Sequence, residues 1–296
     1  MSARLLWFCV VLVLGSLTIA SLFIGAASFE SGHSSAQTLL WVSRVPRTAA
    51  AILTGAALAV SGVVMQQIVR NRFVEPATVG TPEAAAAGLL AVTLIAPGAS
   101  IWVKMGVAAL AALIGADLFA ALIRRLPARE VFLVPLSGLI LAGVIGAGVT
   151  FVAWEADLML YVSIWLMSGE FSGVIAGRYE LLWLAGAAAM LALVAADWFA
   201  ILGLGHEAAT ALGLNPRTVL RLGLAVVALV TAMVVVSVGM FPFVSLAMVV
   251  ILLIAKGQLV SSGKVKIVIN GDEANAVEVS SGGTLLSTLA DRKIFV

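Results

Sequence analysis

One cysteine, two histidines and few charges leave little for covalent or metal chemistry in this 296-residue chain. The cysteine, Cys9, lies inside the first apolar run, which excludes a disulfide framework and a set of thiolates for zinc or an iron-sulfur cluster. His33 reads as a loop residue, and His206 has no second ligand beside it. Charged residues make up only 11% of the chain, and 17 basic against 15 acidic side chains leave +2, so there is no nucleic-acid footprint. No Gly-x-x-x-x-Gly-Lys-Ser/Thr loop occurs, so ATP hydrolysis is not expected from this chain itself. What is present is hydrophobic: 62% of the residues, with a mean hydropathy of +1.15. Such a composition excludes a water-soluble globule, and apolar runs recur along most of the chain, which a signal peptide cannot explain.

The runs predict an all-α polytopic membrane protein with about eight transmembrane helices, near residues 5–27, 48–69, 83–99, 102–123, 131–154, 181–201, 218–240 and 243–260. Arg70 and Arg72, then Arg124, Arg125 and Arg129, then Arg217 and Arg221, and finally Lys256, Lys264 and Lys266 fall on one side if the N-terminus is cytoplasmic. Both termini are then inside. Arg44 and Arg47 break the pattern at the outer mouth of the second span, as functional groups or as snorkelling anchors. Small residues recur every fourth position, at Ala51, Gly55 and Ala59, followed by Gly62, and at Gly138, Ala142 and Gly146, where they predict close helix packing. Lys104 and Asp197 fall near span ends, while Asp117 lies deeper without a basic partner one turn away.

Composition breaks near residue 256. The last 41 residues hold 9 of the 32 charges, and the period changes. Lys264 to Asn270 reads as a strand, Gly271-Asp272 as a turn, Ala276 to Val279 as the returning strand, and Thr284 to Ala290 as a short helix. A unit this small rarely supplies a core of its own.

Three stretches carry more than hydropathy. Arg44-Val-Pro-Arg47-Thr-Ala-Ala leads through Gly62 and Gln66 to Asn71-Arg72 and on through Glu75-Pro76 to Gly80. Trp165 to Gly173 reads W-x-x-x-G-x-x-x-G. Leu204-Gly205-His206-Glu207-Ala208-Ala209 to Leu212-Gly213-Leu214-Asn215 reads as two short helices, with Glu207 at an N-terminus, Gly213 at a C-cap and Asn215-Pro216 opening the next element. Together these resemble the FecCD-like permeases of iron-siderophore and cobalamin ABC importers over about residues 1–243, although Asn71-Arg72 stands where that family has Asn-Pro.

The resemblance implies a permease subunit in the bacterial inner membrane, working with an ABC ATPase, a periplasmic substrate-binding protein and a second permease subunit, in a homo- or heterodimer. It implies that Arg44 and Arg47 dock the binding protein, and that Glu207, Ala208, Leu212 and Gly213 form the coupling contact with the ATPase. No cofactor is implied, ATP being bound by the partner. Beyond Phe243 the sequence departs from the family pattern, and the family's last helices are expected to be missing. Residues 244–260 and 261–296 resemble instead another protein, the flavin- and iron-sulfur-carrying component of the sodium-translocating NADH:quinone oxidoreductase. The likeness is to its membrane anchor and the start of its β-grasp ferredoxin domain, without the cluster cysteines. The leading expectation is an importer permease for metal chelates, not an enzyme. The alternatives are a membrane redox subunit, which lacks cysteines and a dinucleotide fingerprint to support it, and a chimeric gene product without function.

Overall fold

The structure, a computed structural model, describes residues 3–23, 40–124, 132–166, 169–171, 173–175, 179–241, 264–269 and 272–280. The chain divides into two compact units, one of residues 1–16 with 250–296, the other of residues 17–249.

The larger unit is helical, as expected of long apolar runs that must satisfy every backbone group within one segment. Helix α1 is Ala3–Phe23, of which residues 17–23 belong here. A π turn, Leu40–Arg44, opens α2, Val45–Val69, whose Pro46 sits in the first turn where its missing N–H costs nothing. Then come α3 (Thr81–Ile95), α4 (Ile101–Ile123), α5 (Leu133–Glu155), α6 (Leu181–Val194), α7 (Ala196–Gly203), α8 (His206–Ala211) and α9 (Pro216–Val238). Seven of the eight expected segments are therefore helical, and the eighth, 243–260, lies outside the described residues.

Among the described residues four helices are long and apolar enough to cross a membrane, and the pair α6 and α7 makes a fifth if taken as one span. That pair was expected as one straight helix over 181–201; it bends by 58° at Ala195. Helix α3 is also shorter than a full crossing, at 15 residues.

Helix α9 is the hub. Fully 67% of its apolar stretch is buried, against 22% for α5, because α9 packs on α2, α3, α4 and α6 while α5 touches mainly α3 and the turn before it. The largest apolar cluster joins α3 (Leu89, Leu90), α4 (Ala108, Ala112), α5 (Val149, Ala153) and α9 (Ala232, Val235). Alanines on α3 and α4 allow close approach: a Cβ on Gly88 would meet Ala111 Cβ at 2.7 Å, so that glycine is required where the two helices cross.

In the smaller unit β1 (Lys264–Ile269) and β2 (Asp272–Ser280) pair antiparallel, with Lys264 opposite Ser280 and Ile267 opposite Val277. The register slips between Ile267 and Ile269, so the return strand starts at Asp272, earlier than the expected Ala276. The expected helix at 284–290 lies outside the described residues.

Candidate functional site

Three regions hold the singled-out residues. At the start of α2, Arg44 was expected to face outward. It is buried instead, 7% exposed, and its guanidinium Nη1 donates to the carbonyl oxygens of Leu22 and Phe23, both at 3.0 Å. The last carbonyls of a helix have no intrahelical donor, and a cation there also meets the negative end of the helix dipole. Arg44 thus ties the end of α1 to the start of α2, reinforced by the Ser21 and Thr48 hydroxyls at 2.9 Å. Arg47, one turn on, is only partly buried.

The second region is the connection between α2 and α3. Arg70 closes α2 in the left-handed conformation (φ 54°), its N–H bonding the Gln66 carbonyl. Asn71, followed by Arg72 where the family pattern has proline, accepts from the Phe73 N–H through Oδ1 at 2.9 Å, a local turn that needs no proline. Glu75, 1% exposed, and Thr78 close the next turn: the Glu75 N–H donates to Thr78 Oγ1 at 2.8 Å, and that hydroxyl donates back to the Glu75 carbonyl at 2.9 Å. The turn Ala77–Val79 ends at Gly80, φ 80°. A Cβ there would stand 3.3 Å from the backbone of Ala142, and a Cβ on Gly138 would collide with the Thr78 carbonyl oxygen. Polar backbone thus enters the helical layer and is sheltered by the small residues of α5, which is where irregular chain is tolerated at membrane depth.

Beside this turn lies a cavity of about 300 Å³ lined by Ala77, Pro82, Glu83, Ala142, Gly143, Gly146 and Met240. Sequence reasoning did not single out Glu83. The available signal was a carboxylate at the edge of an apolar run.

The third region is 204–215. Gly205 turns the chain at φ 122°, α8 follows, and the C-terminus closes as a Schellman motif: the Gly213 N–H bonds the Thr210 carbonyl and the Leu214 N–H bonds the Ala209 carbonyl, both at 3.0 Å. Gly213 takes φ 81°, as expected of a C-cap glycine, and Asn215 Oδ1 accepts from the N–H groups of Arg217 and Thr218 at 3.1 and 3.4 Å, capping α9. Ala209 is buried beneath the loop, while Leu204 (71% exposed), Glu207 and Leu212 (61%) point away from it. The loop sits against the end of α2, since a Cβ on Gly203 would collide with Gln67 Oε1 and one on Gly205 would meet Arg70 Nη1 at 3.4 Å.

The segment around Gly169 meets the end of α9. The Glu170 N–H donates to the Val238 carbonyl at 2.7 Å, the Met240 N–H donates to the Leu166 carbonyl at 2.9 Å, and the Phe171 and Phe241 rings stack at 4.7 Å. A Cβ on Gly169, φ 59°, would collide with the Met240 carbonyl oxygen.

Of the other expected packing positions, Ala142 and Gly62 are buried, whereas nothing stands within 4 Å of a Cβ on Gly55, and Ala59 and Gly146 are partly buried. Asp117 and Asp197 lie on exposed faces, and Lys104 is partly buried. His33 and the side chain of His206 lie outside the described residues, among which no group of three or more metal-ligating side chains occurs.

Comparison with known proteins places these features in context. The model of the FecCD transport family matches residues 4–261, past Phe243 and across the eighth expected span. The chain is 38% identical to the petrobactin import system permease protein YclN of Bacillus subtilis (strain 168), over 83% of this chain and 79% of that protein. It is 37% identical to the petrobactin import system permease protein FatD of Bacillus anthracis, over 80% and 70%. Among solved structures, an ABC transporter described as of metal-chelate type, in an inward-facing conformation, superposes with a TM-score of 0.64 at 26% identity, covering 83% of this chain and 79% of that one.

Proposed function

Because the chain belongs to the FecCD transport family, and is accordingly a membrane transport subunit and not an enzyme, we propose that it is the permease of an importer for iron-siderophore or related metal chelates. It works in the bacterial inner membrane with both termini cytoplasmic, beside a second permease subunit, a separate ATPase and a periplasmic binding protein. The observation that carries this reading is the exposed loop 204–215: a short helix closed by a Schellman motif and flanked by two outward leucines, Leu204 and Leu212, suits a grip by another protein. The petrobactin permeases support the choice of chelate.

The reading of residues 261–296 as a ferredoxin-like fragment is part of the same proposal, supported by the antiparallel hairpin. No observation favours the redox alternative.

The test is uptake of ferric siderophore by a permease-null strain that expresses this chain with its ATPase and binding protein. Restored uptake that depends on an intact ATPase is the expected result, and its failure with the chain present in the membrane would refute the assignment.

Arg44 and Arg47 divide their labour in this proposal. Arg47 meets acidic groups of the binding protein, while Arg44 holds α1 against α2. Arg47→Glu should slow capture of the binding protein severalfold at low salt and much less at high salt, the behaviour of a charge at an interface rim. Arg44→Glu should lower thermal stability instead. Equal effects of the two reversals on capture rate, with equal melting temperatures, would refute the division.

A further inference from the structure

The last turns of α2 interlock with the two helices that flank the 204–215 loop. Ile68 fills a notch on α9, where a Cβ on Gly223 would collide with Ile68 Cδ1 and stand 2.9 Å from Phe199 Cε1. Val64 of α2, Phe199 and Leu202 of α7, and Val219 and Val227 of α9 form one buried apolar cluster around it. Beside the notch, Gln67 lies along the bare backbone of Gly203, where an added Cβ would collide with Oε1 and stand 3.8 Å from Gln67 Cβ. Arg70 reaches the loop itself, its Nη1 3.4 Å from the place a Cβ on Gly205 would take. Past α2 the backbone stays bonded: the Asn71 N–H donates to the Gln66 carbonyl at 3.1 Å, the Val74 N–H to the Asn71 carbonyl at 3.3 Å, and the Thr81 N–H to the Pro76 carbonyl at 3.2 Å. The turn so built rests on Ala142 through Gly80 and supplies Ala77 to the cavity wall.

We propose that the last turn of α2 and the 204–215 loop move as one body, so that a displacement imposed on the loop by the ATPase arrives at the 71–80 turn and shifts Ala77 at the cavity wall. Gln67 is the positioning residue at the joint. Packed elements pass on a displacement only where they cannot slip, and these faces interlock: Ile68 and Gln67 occupy the spaces that Gly223 and Gly203 leave without a side chain. The apolar cluster beneath them ties α2 to the chain both before and after the loop, so the loop has no side from which to move alone. The inference rests on the transport reading and deepens it by naming the route from the loop into the membrane.

The experiment introduces Gln67→Cys with Gly203→Cys in a full chain whose own cysteine is removed by Cys9→Ser, assembled with its ATPase and binding protein in proteoliposomes. Gly203 is helical, and a Cβ separation of 3.8 Å suits a disulfide without backbone movement, so mild oxidation should join the pair. Joining should run at the same rate with the ATPase free of nucleotide and with it trapped by ATP and vanadate. The joined protein should import ferric petrobactin as well as its reduced form. Slower joining in either state, or import lost on oxidation and regained on reduction, shows the surfaces slipping and overturns the proposal. Gly203→Leu should pry the joint apart while Leu204 and Leu212 still hold the ATPase. Hydrolysis then continues, but chelate imported per ATP falls severalfold, and adding Gln67→Ala, which vacates the space, raises it again. A wild-type ratio in Gly203→Leu at wild-type ATPase stoichiometry overturns the proposal, as does no recovery with Gln67→Ala at a wild-type melting temperature. Import by the Cys9→Ser parent is scored separately: its absence refutes the transport reading, whereas the joining rates still decide whether loop and helix move together.

Discussion

Replacing Gly138 by valine should leave almost no monodisperse protein after detergent extraction. The Cβ would enter the space of the Thr78 carbonyl oxygen, with Phe119 Cε2 also only 3.0 Å away. Neither neighbour can retreat cheaply: Phe119 is buried, and the Thr78 backbone is held by the bonds that close the Glu75 to Thr78 turn. Overpacking a core costs about 1–3 kcal/mol where side chains can yield, and more where the obstacle is backbone. Marginally stable proteins lose their folded state to less. The control is Gly143→Ala on the same helix, where nothing stands within 4 Å of the added methyl. Size-exclusion profiles and melting curves of the two variants should diverge sharply, and a normal Gly138→Val protein would show that α5 does not press on the turn.

Leu212→Glu should abolish co-purification of the ATPase with an otherwise normal permease. Leu212 is exposed and lies just past the last turn of α8, so the substitution has no core to disturb. Loss of one buried apolar anchor, compounded by an uncompensated charge, removes about 2 kcal/mol or more from an interface, some thirtyfold in affinity. Ala208→Arg should act in the same direction. Gly213→Asn is the informative contrast: asparagine tolerates the left-handed conformation, so the loop should keep its shape and most of its partner. Retention of the ATPase at wild-type stoichiometry by Leu212→Glu would displace the contact from this loop.

Hydropathy made the helices legible because a segment crossing lipid must be apolar throughout, and that demand is written in consecutive residues. The caps of the 204–215 loop were legible for the same reason: Gly213 and Asn215 act on backbone groups within a few positions of themselves. What stayed hidden depends on partners distant in sequence. Arg44 reads as an outward charge until the carbonyls of Leu22 and Phe23 are seen beside it, some twenty residues upstream. Asn71, Glu75 and Thr78 are polar residues just past the second expected span, yet side-chain and backbone hydrogen bonds close local turns there and all three are buried, which no hydropathy pattern reveals. The bend at Ala195 has neither proline nor glycine to announce it. That Glu83 lines a cavity shows only once α3 and α5 are packed together.

The start of α3, packed beside Ala142 near the middle of α5, also constrains how the chain is made. Fifteen helical residues rise about 22 Å, short of a hydrocarbon layer of about 30 Å, and the segment before them is irregular backbone that lipid cannot satisfy. A nascent chain that has delivered only α1 to α4 therefore has no stable place in lipid for residues 71–80. These must wait in the translocon or at its wet flank until Gly138 and Ala142 emerge to cover them. The third helix is for that reason expected to settle in the membrane only after α5 has emerged. A ribosome-stalled chain ending before residue 133 should leave a cysteine placed at position 77 open to a water-soluble maleimide, and one released beyond residue 155 should close it.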